Sequence, residues 1–332
     1  MTSPPESVQI VDLAPFINGS NKAGVAKQML DSFKSIGFVY LVNHGLRQDR
    51  IKEMFTWSKT LFDQPDEVKQ LAPHPESGAH HRGYSSPGRE KVIRFDSVSE
   101  SNPSGQLVRD IKESFEVGRE DMPGMPNIWF TEGVLPGFKE ACLDFYWRCF
   151  DIEKLILRVL AVGFDLPEDY FFQYHSKADN QLRLLHYPSI PSSMLADERA
   201  SRIPSHTDFC SLTLLLQDDI GGLEVEHPKK PGTFVPVPPI PESIVVNAGD
   251  FLMRWSNDMI KSTVHRVRLP HAFKDSGVDG KVPSRYSIPY FCAADLDTIV
   301  DSIPGTWSST RPKLYSPISA KEYILERLAA NY

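Results

Sequence analysis

The sequence predicts a mixed α+β protein whose second half is a β-sandwich or barrel. From residue 180 onward, seven short apolar runs (LRLLHYP, SLTLLLQD, GLEVEHP, TFVPVPP, SIVVNAGDFL, STVHRVRLP and RYSIPYF) follow at close spacing, divided by Pro and Gly. That texture belongs to closed or double-layered β architectures. Ahead of them, residues 136–163 place apolar side chains at helical rather than alternating spacing, which suits a long helix against a core.

In chain order, VQIVDL alternates like a short strand, and Asn18-Gly19-Ser20 ends it. Val25, Met29, Leu30 and Phe33 then mark a helix over about 21–35. GFVYLVNHG at 37–45 is a buried-strand pattern, followed by a helix bearing Ile51, Met54, Phe55 and Leu61 with Pro65 beyond its end. Residues 72–108 are rich in Pro, Gly, Ser and His, and read as a long loop in which Tyr84 and Arg89 are candidate lid residues. After the β-rich segment, ISAKEYILERLAANY returns to helix with Ser319 as its N-cap. The expected organisation is an N-terminal region 1–175 packing on a core at 176–318, with a C-terminal helix at 319–332. With no flexible linker between them, these form one integrated unit.

Composition narrows the function. In 332 residues, 36 basic against 43 acidic side chains leave a net charge of −7, which repels a phosphate backbone or an anionic membrane. A small-molecule substrate is therefore the expected partner, not nucleic acid or membrane. Four cysteines without a C-x-x-C pair indicate neither a disulfide framework nor a thiolate zinc site. No signal-like start or bilayer-length apolar run is present, so a cytoplasmic location is expected.

His206-Thr207-Asp208 precedes a strong strand pattern, and in an extended segment the imidazole and carboxylate point the same way. Alone this is weak, since ten histidines and 43 acids among 332 residues produce about one such triplet by chance. His74-Pro75-Glu76 is a second triplet, in the polar loop, and reads as a solvated pair. The first gains weight from its company. His265 lies in another strand pattern, and Arg285-Tyr286-Ser287 sets a guanidinium and a hydroxyl on one strand face. Two neutral imidazoles and a carboxylate leave three octahedral positions open, which suits non-haem Fe(II), although zinc hydrolysis uses similar ligands. An arginine fork beside a hydroxyl fits the far carboxylate of a dicarboxylate, and a zinc hydrolase has no need of it. Read singly, His265 is a satisfied core or surface histidine and Asn247-Ala248-Gly249-Asp250 a turn.

Together these motifs resemble the Fe(II)- and 2-oxoglutarate-dependent dioxygenases of the isopenicillin-N-synthase-like superfamily. The resemblance spans nearly the whole chain, through GFVYLVNHGL, NQLRLLHYP and VVNAGDFLMRWSND. It implies a double-stranded β-helix (jelly-roll) core at 176–318 flanked by helices. It also implies iron bound by His206, Asp208 and His265, and the distal carboxylate of 2-oxoglutarate held by Arg285, Ser287 and Tyr187. The implied chemistry consumes O2 and 2-oxoglutarate and yields succinate and carbon dioxide. RGYSSPGREKV, DIKESFEVGRED and the ending RLAANY further resemble the fungal thymine dioxygenase (thymine 7-hydroxylase) group and its paralogues. That likeness implies Arg183, Phe209 and Phe291 around a flat pyrimidine. Phe209 stands where the group is expected to have tyrosine, and Ala293 where it is expected to have asparagine. An oxidase of fungal secondary metabolism is the alternative, and a non-catalytic 2-oxoglutarate or metal sensor or a structural β-barrel are readings of other classes.

Overall fold

In the computed structural model, the described residues are 7–76, 80–88, 109–196, 200–270, 273 and 280–329. The chain opens with β1 (Gln9–Asp12), helix α1 (Lys22–Ser35), β2 (Phe38–Val42) and helix α2 (Gln48–Phe62). The side chain of Asn21 caps α1 by accepting from Gly24 N at 3.0 Å. Then come β3 (Gly83–Ser85), β4 (Glu113–Val117), the long helix α3 (Phe138–Gly163) and β5 (Gln181–Tyr187). The β-rich part comprises β6 (Ile203–His206), β7 (Leu212–Gln217), β8 (Leu223–Glu226), β9 (Phe234–Pro236) and β10 (Ile244–Ala248). Short helix α4 (Asp250–Trp255), β11 (His265–Val267), β12 (Arg285–Cys292) and helix α5 (Ala320–Ala329) complete it. Ser319 and Glu322 cap α5 reciprocally, Glu322 N donating to Ser319 Oγ at 3.1 Å and Ser319 N to the Glu322 carboxylate at 3.4 Å.

Eight strands form one sheet in the order β1-β2-β10-β7-β12-β5-β4-β3, and four form a second in the order β9-β8-β11-β6. The mixed helix and strand architecture is that of a double-stranded β-helix core with flanking helices. Period-two alternation decides where each side chain goes. On β7, Leu212, Leu214 and Leu216 join the core beneath α1 and α3, with Phe33, Phe145 and Tyr146. The intervening Thr213 and Leu215 turn toward the other sheet and line a cavity. Between the sheets, Phe38, Val245, Leu223 and Val267 make a smaller apolar cluster. Among the described residues no helix is long and apolar enough to cross a membrane.

Four expectations need correction. The 72–108 segment is not wholly loop: Gly83–Ser85 pairs with β4 in the main sheet. Tyr84 is no lid, because it is buried in that strand and its hydroxyl donates to Glu113 at 2.6 Å. Arg89 lies outside the described residues. His74 is not a solvated partner of Glu76; its ring turns inward, with Nε2 3.9 Å from the buried Glu116. Lastly, the run SIVVNAGDFL divides, its first part forming β10 and its last residues opening α4.

Candidate active site

His206 closes β6 and stands directly across from His265 on β11. Their ring centroids are 4.2 Å apart. Each Nδ1 faces a backbone carbonyl, that of Pro204 at 2.9 Å and that of Thr263 at 3.2 Å. Protons placed there leave both Nε2 lone pairs free and aimed. They converge on Asp208 Oδ1, at 3.6 Å from His206 and 3.8 Å from His265. The other carboxylate oxygen, Oδ2, accepts from Thr213 Oγ1 at 2.6 Å and Asn247 Nδ2 at 2.8 Å. Register explains the convergence, since Thr213 pairs with Asn247 across β7 and β10 beside the loop carrying Asp208.

Burial in the cavity wall, followed by repulsion from His265, pushes His206 down to about 4. Burial works to raise Asp208, but the two imidazoles and the Asn247 and Thr213 hydrogen bonds outweigh it and hold the carboxyl below its usual range. The site therefore offers a neutral imidazole at His206 and a carboxylate at Asp208, the donor types that bind a divalent transition metal. The turn behind it is tight: a Cβ on Gly249 would run into the Cys210 carbonyl and lie 2.9 Å from that of Asp208. Asp250 N donates to Asp208 O at 2.7 Å, and Thr207 Oγ1 to the Asp250 carboxylate at 3.1 Å.

A cavity of about 440 Å³ between the sheets contains the triad. At one end, Arg285 pairs with Tyr187 across β12 and β5, and Ser287 with Gln217 across β12 and β7. Arg285 is buried, donates to Ser287 Oγ at 3.1 Å and to Gln217 Oε1 at 3.4 Å, and its Nε has no hydrogen-bond partner. Among the described residues no carboxylate forms an ion pair with it. A buried guanidinium of this kind calls for an anion, so the residues present fit a carboxylate of 2-oxoglutarate. Phe291 stands opposite Thr213 across β12 and β7 and also lines the cavity. Arg183, Phe209 and Ala293 line the same cavity. Arg183 also forms an ion pair with Glu116 at 2.7 Å.

Several contributors escape a reading of the sequence. Thr213 and Asn247 lie in ordinary strand patterns, and only cross-strand register brings them to Asp208. Arg202 is fully buried, with Nε and Nη1 lacking hydrogen-bond partners and its guanidinium 5.7 Å from the Tyr187 ring centroid. Burial, then the nearby Arg285, pushes it down to about 10. His74, His81 and Glu116 form a second cluster with metal-compatible spacing. The guanidinium of Arg183 on Glu116, together with a hydrogen bond from Gln181 at 2.9 Å, opposes a cation there.

The fold and site fit a non-haem iron oxygenase, and similarity makes the family specific. Residues 8–132 match the family described as non-haem dioxygenase in morphine synthesis N-terminal, and residues 178–294 match the 2OG-Fe(II) oxygenase superfamily. The chain is 37% identical over 333 residues to the 2-oxoglutarate-Fe(II) type oxidoreductase ppzD of Metarhizium rileyi, covering 99% of this chain and 93% of that one. It is also 37% identical over 330 residues to the proline hydroxylase buaE of Petromyces alliaceus, covering 98% and 99%. The crystal structure of the Neurospora crassa thymine dioxygenase with alpha-KG and thymine superposes with a TM-score of 0.88 at 38% identity, covering 100% of this chain and 99% of that chain. The chain belongs to the Fe(II)- and 2-oxoglutarate-dependent oxygenases. It is an enzyme that uses iron(II), 2-oxoglutarate and O2 to oxidise a small molecule.

Proposed function

We propose that His206, Asp208 and His265 hold the iron, that Arg285, Ser287 and Tyr187 hold the distal carboxylate of 2-oxoglutarate, and that a small planar substrate lies against Phe291, Phe209 and Arg183. The observation that carries this reading is the buried Arg285, which has Ser287 beside it and no carboxylate partner among the described residues, in the cavity that contains the triad. When bound, iron and 2-oxoglutarate supply activated oxygen for oxidation of a substrate C–H bond, with succinate and carbon dioxide as co-products. The chain's own part is positional. Backbone carbonyls orient the two imidazoles, Thr213 and Asn247 fix the carboxylate, and the apolar cavity wall limits access of water.

Thymine is the specific substrate candidate, supported by the likeness to a protein whose crystal structure contains thymine. The second reading is oxidation of another aromatic or heterocyclic metabolite. A proline hydroxylase of similar identity favours it, as do Phe209 and Ala293 at the two departing positions. The test is succinate release with Fe(II) and 2-oxoglutarate across a metabolite panel containing thymine. Stimulation by thymine well above the substrate-free rate supports the pyrimidine; stimulation by an unrelated ring compound alone selects the second reading. Arg285→Lys is expected to weaken 2-oxoglutarate binding about tenfold, because a point charge cannot replace a two-pronged contact. Unchanged affinity would remove Arg285 from the co-substrate site.

A further inference from the structure

Arg202 has no part in the metal triad or in the fork of Arg285, yet it is among the largest fully buried side chains of the protein. It sits immediately before β6, the strand that ends in His206. Its Nη2 donates to the carbonyl of Pro283, just ahead of Arg285, at 2.6 Å. Nε and Nη1 are buried without a hydrogen-bond partner. The Arg202 guanidinium lies 5.7 Å from the centroid of the Tyr187 ring, and that of Arg285 lies 5.1 Å from the same centroid. Tyr187 and Arg285 line the cavity. Arg202 stands behind them, against the ring.

Two like charges on one ring call for a reason. Buried cations carry a desolvation penalty and repel each other, and among the described residues no carboxylate forms an ion pair with either guanidinium. Asp218 is close enough to act on both, but its two oxygens accept from the backbone N–H groups of Ile220 and Tyr286. If packing were the whole purpose, an apolar side chain of similar length would serve as well or better. A second cation becomes useful once an anion occupies the pocket. In apolar surroundings its field reaches past the ring, and a positive charge beside a phenol makes the hydroxyl a stronger donor.

We propose that Arg202 is a second cation of the co-substrate pocket: acting from behind Tyr187, it adds to the field of Arg285 and selects 2-oxo acids that carry a second carboxylate over those that end in an alkyl chain. This rests on the assignment of Arg285 and Tyr187 to the distal carboxylate given above. Arg202 acts through Tyr187 and is a positioning residue.

The test is calorimetric titration of the anaerobic Fe(II) protein with 2-oxoglutarate and with 2-oxopentanoate, which has the same keto-acid head and a methyl group in place of the distal carboxylate. Arg202→Met, neutral and of similar length, should weaken 2-oxoglutarate binding about tenfold and leave 2-oxopentanoate within about twofold of its native affinity. Arg202→Gln should do the same, and it answers the question if Arg202→Met does not fold. Arg202→Lys keeps the charge and should recover most of the lost affinity, which a purely structural role would not predict. Equal weakening of both keto acids, an unchanged affinity for 2-oxoglutarate, or an Arg202→Lys as weak as Arg202→Met overturns the proposal and leaves Arg202 a tie between β6 and β12. Arg285→Gln distinguishes the two ways of failing. If it collapses the preference for 2-oxoglutarate while the Arg202 variants do not, this inference alone falls; if it leaves the preference intact, the placement of the distal carboxylate falls with it.

Discussion

Asp208 can offer only one oxygen to a metal, because Thr213 and Asn247 occupy the other. Hydrogen bonds to a charged group contribute about 1.5–3 kcal/mol each, and partners that orient a ligand typically change metal affinity about 10–100-fold. Thr213→Val and Asn247→Ala are therefore each expected to weaken metal binding by roughly 10–100-fold, read by titrating Mn(II) into metal-free protein. Native-like affinity in both variants would show that the carboxylate is held by other means. Titration supplies a second expectation. In the metal-free protein His206 is lowered from 6.5 to about 4 and Asp208 is also lowered, so the folded state binds fewer protons than the unfolded chain. Stability is then greatest above pH 6.5 and falls as pH drops toward 4. His206→Asn should flatten that decline in denaturation midpoints measured against pH. At this scale the clustering of His206, Asp208 and His265 and the buried Arg285 beside Ser287 are legible in the sequence, because their residue types are chemically particular. Thr213 and Asn247 are not, because nothing in a strand pattern tells which hydroxyl or amide meets a carboxylate across the sheet.

Among the elements, the turn between β10 and α4 is the tightest support of the site. Gly249 keeps an ordinary backbone conformation there, and its lack of a side chain is what lets the Cys210 and Asp208 carbonyls approach. Gly249→Ala places a methyl against backbone rather than a flexible side chain. It should cost roughly 1–3 kcal/mol of stability and weaken metal binding together with it. Denaturant unfolding and metal titration on the same sample check the pair; a stable variant with lowered metal affinity would locate the effect in the loop alone. Reading Asn247-Ala248-Gly249-Asp250 as a turn recognises the change of direction but misses its use. Helices α1, α3 and α5 are readable from periodicity and capping, whereas β3 and β4 lack a strong alternating signal and take their place through pairing with β5.

Across the whole molecule, the main sheet is completed from the front of the chain. Residues Phe38–Asn247 through Leu41–Ile244 pair β2 with β10, and β1 adds in parallel beyond β2. Deleting residues 1–43 would remove both strands and α1, uncovering the edge of β10 and part of the core. The expected product is a fragment without cooperative unfolding or a thermal response to 2-oxoglutarate. A fragment that unfolds cooperatively and is stabilised by 2-oxoglutarate would instead make the front segment a separable appendage. Texture alone suggests a boundary near residue 175, because helical and strand patterns separate in sequence while the sheet they build does not separate in space.

Alternation along β12 has a consequence for how such a protein changes through descent. Arg285, Ser287 and Phe291 share the cavity face, while Ile288, Tyr290 and Cys292 belong to the helix-covered core. A point mutation at Phe291 changes one wall of the cavity and leaves Arg285 and Ser287 in place. Loss or gain of a single residue within the strand would exchange the two faces and bury the cavity's polar groups against the helices. Substitution at Phe291 can therefore change which ligand the cavity accepts while the proposed co-substrate grip stays in place, whereas a length change is tolerated only in the loops.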